Sequence, residues 1–115
     1  MSDLAISVQN LKRVDVVTVS GRIDSSNYGD LDNALQELFA QNRFMLVLDL
    51  NGVNYISSAG LRILVSGLRE CKKGKSDGNL VLLAPSERVT EVLGLSGLSE
   101  LFRSYEKAVE AVGSF

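Results

Sequence analysis

Histidine and tryptophan are absent from this 115-residue chain, and cysteine and proline occur once each. Each shortage removes a class of function. Without histidine the commonest metal ligand and the commonest general base are missing, and no group of carboxylates at ligand spacing replaces it. Neither a resident metal nor acid–base catalysis is therefore expected, and no cofactor is. A single cysteine, Cys71, forbids a disulfide within the chain; it falls on an apolar stripe, where a lone thiol behaves as a small buried hydrophobe. No run of about 18 apolar residues could cross a membrane. Met1-Ser2-Asp3-Leu4 lacks the basic and apolar regions of a secretory leader, so a cytoplasmic protein is expected. Twelve basic against fourteen acidic residues leave a formal charge of −2, and a nucleic-acid footprint needs a concentrated basic surface. The densest cluster of cations, Lys72-Lys73-Gly74-Lys75, lies at an expected helix C-terminus, where the dipole favours them.

What is present is a periodic alternation of strands and helices in one domain, residues 1–115. Leu4, Ile6 and Val8 alternate with smaller or polar residues, and Asn10 to Arg13 turns the chain into Val14, Val16, Val17 and Val19. So short a turn joins antiparallel strands. Ser25 or Ser26 is placed to cap a first helix, with Tyr28, Leu31, Leu35, Leu38 and Phe39 on its inner face. A continuous apolar run, Phe44 to Leu50, reads as a strand covered on both faces, and so does Leu80 to Ala84. Between them Leu61, Leu64, Val65, Leu68 and Cys71 mark a helix from about Ser58 to Lys73. Pro85-Ser86-Glu87 opens a third helix, stopped by Gly94, with Val89, Val92 and Leu93 inward. Leu101-Phe102 is expected as a short edge strand. Ser104 is placed to cap a last helix with Tyr105, Ala108, Val109 and Val112 inward. The fold class is α/β: a mostly parallel central sheet, an antiparallel hairpin at its N-terminal edge, and about four helices.

The chain is organised around Leu46 to Val65, where an apolar strand runs through Tyr55-Ile56-Ser57-Ser58-Ala59-Gly60 into a helix. A serine is thereby displayed where a helix begins. Three roles are open to it. It can cap the helix, satisfying backbone N–H groups that have no intrahelical partner. It can act as a nucleophile, but there is no histidine to serve as base; a lysine base is conceivable, yet no Ser-x-x-Lys is present and Arg62 is a poor base. It can accept a phosphate, whose charge and acceptor oxygens suit the positive end of a helix.

Asp49-Leu50 followed by Val53 to Leu61 resembles the signature of the STAS domain, the fold of anti-sigma factor antagonists and of the cytoplasmic tails of sulphate transporters. Val16 to Asp24 is similar to that family's second strand with its Gly-x-(apolar)-Asp, and Leu93 to Leu98 to its late Ser-Gly-Leu turn. The resemblance covers nearly the whole chain and implies a phosphorylated serine at Ser58. Ser57 stands where the family commonly has Asp, and is thus a rival acceptor. The resemblance further implies that the loop of Asp24, Ser25 and Ser26 lies beside the Ser58 loop. A partner surface would then comprise Asp24, Ser25, Ser57, Ser58, Ala59, Gly60 and Arg62. The implied function is that of an anti-sigma factor antagonist, which is no enzyme. It would bind an anti-sigma serine kinase until phosphorylated and be restored by a serine phosphatase, with no contact to nucleic acid or membrane. The alternative is an adaptor subunit of an ABC-type transporter complex.

Overall fold

The computed structural model describes residues 3–115. Strand β1 (Ala5–Asn10) turns tightly into β2 (Asp15–Ile23), and the two pair antiparallel, with Val8 opposite Val17. Helix α1 (Tyr28–Ala40) leads to β3 (Met45–Ile56), which lies parallel to β2. Helix α2 (Ser58–Gly74) then returns the chain to β4 (Asn79–Leu83), parallel to β3 on its other side. Helix α3 (Glu87–Leu95), a 3₁₀ turn (Ser99–Leu101), the two-residue β5 (Ser104–Tyr105) and helix α4 (Ala108–Gly113) complete it. The sheet order is β1-β2-β3-β4-β5.

Alternating residues of the central strands feed two separate apolar clusters. Val17, Val19, Leu46, Leu48, Leu50, Leu80 and Leu82 face one side. There they pack with Leu31 and Leu35 of α1, Leu64, Leu68 and Cys71 of α2, and Val89 and Leu93 of α3. Met45, Val47, Val81 and Leu83 face the other, under Ala111 of α4 and beside Tyr105, Val112 and Phe115. This double coverage is why the β3 and β4 runs are apolar throughout. Cys71 is fully buried, and burial pushes its thiol up to about 12.

Several boundaries differ from the sequence expectation, each for a local reason. Neither Ser25 nor Ser26 caps α1: Asn27 holds the cap position, and its amide is turned back into the preceding loop. Tyr28 stands outside the core at 39 % exposure. The central strand continues past Leu50 to Ile56, because β2 pairs with it as far as Ile23 opposite Ile56. Helix α3 passes Gly94 and ends at Leu95. The last edge strand is Ser104–Tyr105, not Leu101-Phe102, with Leu82 and Ala84 N–H groups donating to Arg103 and Tyr105 carbonyls. Ser104 is thus spent on a strand and α4 begins at Ala108. Its inner residues are Ala111 and Val112, while Val109 is 76 % exposed.

Away from these elements, one buried charge ties the molecule together. The Asp15 carboxylate is wholly inaccessible and receives Arg43 Nε at 2.6 Å and Asn10 Nδ2 at 2.7 Å. Arg43 also donates to the Leu11 carbonyl at 2.9 Å. The turn before β3 is thereby clamped to the β1–β2 hairpin.

Candidate functional site

The C-terminal ends of β2 and β3 lie side by side, and the chain leaves both there. Ser57 N–H donates to the Ile23 carbonyl at 2.8 Å, which closes the seam between the two exits. Ser57 is extended (φ −85°, ψ 171°) and is the N-cap of α2, its Oγ accepting from Gly60 N–H at 3.2 Å. The serine that caps the helix is therefore Ser57 and not Ser58. Ser58 is the first helical residue, is exposed, and its hydroxyl has no hydrogen-bond partner among the described residues. One of the two serines is employed by the fold and the other is free.

Ala59 and Gly60 are buried and seat the helix. A Cβ on Gly60 would stand 2.7 Å from Ile23 Cγ2 and 2.9 Å from Ile56 Cγ1. Only glycine lets α2 descend this far onto the strand ends. The two isoleucines are β-branched and stiff at χ1, so they cannot swing aside. Gly60→Ala should then destabilise by about 1–2 kcal/mol, overpacking outweighing the better helix propensity of alanine. Urea unfolding measures this, and a variant as stable as the parent would refute the seating argument.

Beside this seat, the Asp24 loop is built from its own polar groups. Asp24 Oδ1 accepts from Ser26 Oγ at 2.6 Å and Ser26 N–H at 2.9 Å, and Asp24 N–H donates to Asn27 Oδ1 at 2.8 Å. Asn27 is buried and its amide donates to the Arg22 carbonyl at 2.9 Å. Arg22 lies over the Tyr55 ring, 4.3 Å from its centroid, and 3.9 Å from the Asp24 carboxylate. The Ser26 hydroxyl, the Ser26 N–H and the nearby Arg22 charge together hold the Asp24 carboxyl below its ordinary value. A depressed carboxyl favours the fold above its unfolded titration, and that favour is lost only as pH falls through the lower folded value. The loop thus carries a negative charge across neutral and mildly acidic pH.

Asp24, Ser25, Ser58 and Arg62 reach solvent at this end of the sheet, with Ser57 half covered. The sequence reading missed Arg22, Tyr55 and Asn27 as the frame of the loop. The parallel pairing that sets Arg22 opposite Tyr55 has no local signature. Ser86, at the expected opening of α3, caps that helix through Val89 N–H at 3.2 Å, and its hydroxyl also donates to the Val53 carbonyl at 2.5 Å, a bond to a residue 33 positions earlier that no local pattern announces. Among the described residues no three histidine, cysteine or carboxylate side chains are grouped to hold a metal ion. No described helix is long and apolar enough to cross a membrane.

A small α/β domain with one free serine at the head of a helix, flanked by a fixed acidic loop, has the form of a recognition module. A family model described as Mlab, STAS domain, matches residues 6–103. The chain belongs to the STAS domain family, whose role is regulatory. It is 27 % identical over 109 residues to the anti-sigma-F factor antagonist RsfB of Mycobacterium tuberculosis, covering 95 % of this chain and 89 % of that one. The crystal structure of an anti-sigma factor antagonist from Mycobacterium paratuberculosis superposes with a TM-score of 0.85 at 27 % identity, covering 96 % of this chain and 92 % of that one. The fold is shared with the anti-sigma factor antagonist SpoIIAA in its unphosphorylated form and with the Bacillus cell fate determinant SpoIIAA in its phosphorylated form. The unphosphorylated form has a TM-score of 0.80 at 20 % identity (96 % and 95 % covered), and the phosphorylated form 0.73 at 19 % (96 % and 98 % covered).

Proposed function

We propose that this protein is a cytoplasmic anti-sigma factor antagonist whose affinity for an anti-sigma serine kinase is set by the phosphorylation state of Ser58. The observation that carries the reading is the division of labour at the head of α2. Ser57 is committed to the cap, whereas the Ser58 hydroxyl is exposed and unengaged. A phosphate on Ser58 meets the positive end of a 17-residue helix and costs the fold no buried contact. Asp24 and Ser25, on the adjoining loop, supply the charged and polar rim that the kinase would touch. The protein catalyses nothing; ATP belongs to the kinase, and a serine phosphatase reverses the mark.

Incubation with the cognate kinase and ATP should add one phosphate, mapped by peptide mass spectrometry to Ser58 and lost in Ser58→Ala. A phosphate on Ser57 would overturn the assignment. A pull-down from the native host, with and without ATP, gives the broader test. Recovery of a transporter ATPase in place of a kinase would favour the adaptor role.

A further inference from the structure

The outer face of α2 carries a second feature. Leu61 and Val65, each half-buried, form with Leu98 the floor of a groove of about 420 Å³ between α2 and the turn that follows α3. Arg62 and Arg69 line the same groove. They are seven residues apart, two helical turns, which sets them about 10 Å from each other along one face at 1.5 Å per residue. Both are exposed, and neither makes an ion pair or a side-chain hydrogen bond among the described residues. By contrast Arg22, Arg43 and Arg88 each have a carboxylate partner.

We infer that this groove docks an amphipathic helix of a protein partner, with acidic side chains two turns apart on Arg62 and Arg69 and apolar side chains between them on Leu61, Val65 and Leu98. The charge pattern selects the occupant. An apolar trough bordered by two unpaired guanidinium groups on one helix face repels a basic segment and leaves a neutral one without polar partners. Guanidinium also suits the flat, two-pronged geometry of a carboxylate better than an ammonium would. The concave floor fits a helix ridge better than a flat bilayer surface. The groove begins one turn beyond Ser58, so the same partner could span both, and to that extent the inference rests on the proposed function. The groove itself requires no phosphate.

The probe is a synthetic two-heptad helical peptide with Glu at positions seven apart and Leu between them, titrated into the full-length protein and followed by NMR. The expected result is saturable shifts at the methyls of Leu61, Val65 and Leu98 and at the Arg62 and Arg69 side chains. Arg69→Glu should weaken binding at least tenfold, and a peptide with Lys in place of only the Glu that faces position 69 should recover it. Because Arg69 is exposed and distant from the Ser57–Gly60 seat, Arg69→Glu should remain folded, with the circular dichroism spectrum and urea midpoint of the parent. The titration uses no kinase, so failure of the groove and failure of the Ser58 switch appear separately. Shifts outside the groove, equal affinity in Arg69→Glu, or Arg69-dependent sedimentation with phosphatidylglycerol vesicles without a peptide response would each overturn the inference.

Discussion

Replacing Arg43 by alanine should cost roughly 3–5 kcal/mol of stability, the penalty of stripping the partner from a buried charge. Asp15, itself inaccessible to solvent, would keep the Asn10 amide at 2.7 Å as its side-chain partner. Arg43 itself retains 27 % side-chain exposure, so water reaches part of the site and the lower end of that range is expected. A loss of that size should lower the thermal midpoint by more than about 10 °C for a chain of this length. The double variant Asp15→Leu with Arg43→Met should recover most of the loss, since replacing both members of a buried pair with apolar groups is often neutral. Chemical unfolding of the two single variants and the double gives the cycle. A loss under about 1 kcal/mol in Arg43→Ala would mean that the carboxylate is hydrated and the clamp unimportant.

Phosphorylation of Ser58 should weaken kinase binding by two to three powers of ten while leaving the fold in place. On the free protein the phosphate adds a dipole-favoured interaction of about 0.3–1 kcal/mol at an exposed helix N-terminus. In the complex the balance reverses. Desolvating an unpaired phosphate against a packed surface, with like-charge repulsion, would cost about 3–4 kcal/mol, and each 1.4 kcal/mol is about tenfold in Kd. The fixed negative charge of Asp24 stands on the same rim and adds to the repulsion. Ser58→Asp should imitate the effect in part, and Ser58→Ala should bind whether or not ATP is present. Calorimetry of the free and phosphorylated forms, with circular dichroism and amide exchange alongside, checks both halves. Exchange changes spread through the sheet, or an affinity unaltered by phosphate, would contradict a surface mechanism.

The fold class was legible because its signals are local. The apolar runs of β3 and β4, the 3.6-residue stripes of α1 and α2 and the short hairpin turn each sit within one stretch of chain. The head of α2 was half legible. Two adjacent hydroxyls before a helix announce a cap, but which of them is turned inward depends on whether Ser57 N–H can reach Ile23, a residue 34 positions earlier. The loop frame was not legible, since Arg22 meets Tyr55 only once β2 and β3 have paired. Nor was the clamp, in which Asp15 and Arg43 are 28 residues apart. Near the C-terminus local pattern misled: Ser104 has the look of a helix cap, yet the open edge of β4 claims its backbone first. Val109 follows the helical spacing but falls on the open side, because α4 covers its cluster with Ala111 and Val112.

The strand order, identical to the order along the chain, bears on how the molecule assembles and comes apart. No strand has to be threaded between two already joined, and each new strand adds beside the last, so loop-closure costs stay moderate for a largely parallel sheet. The final piece added is also the weakest: β5 makes two residue pairs, and α4 has six residues. In hydrogen exchange this C-terminal flap should open well before the rest, in a local event that bares Val81 and Leu83 while β2, β3 and α2 stay closed. The serine at the head of α2 therefore sits on the part of the molecule that lets go last.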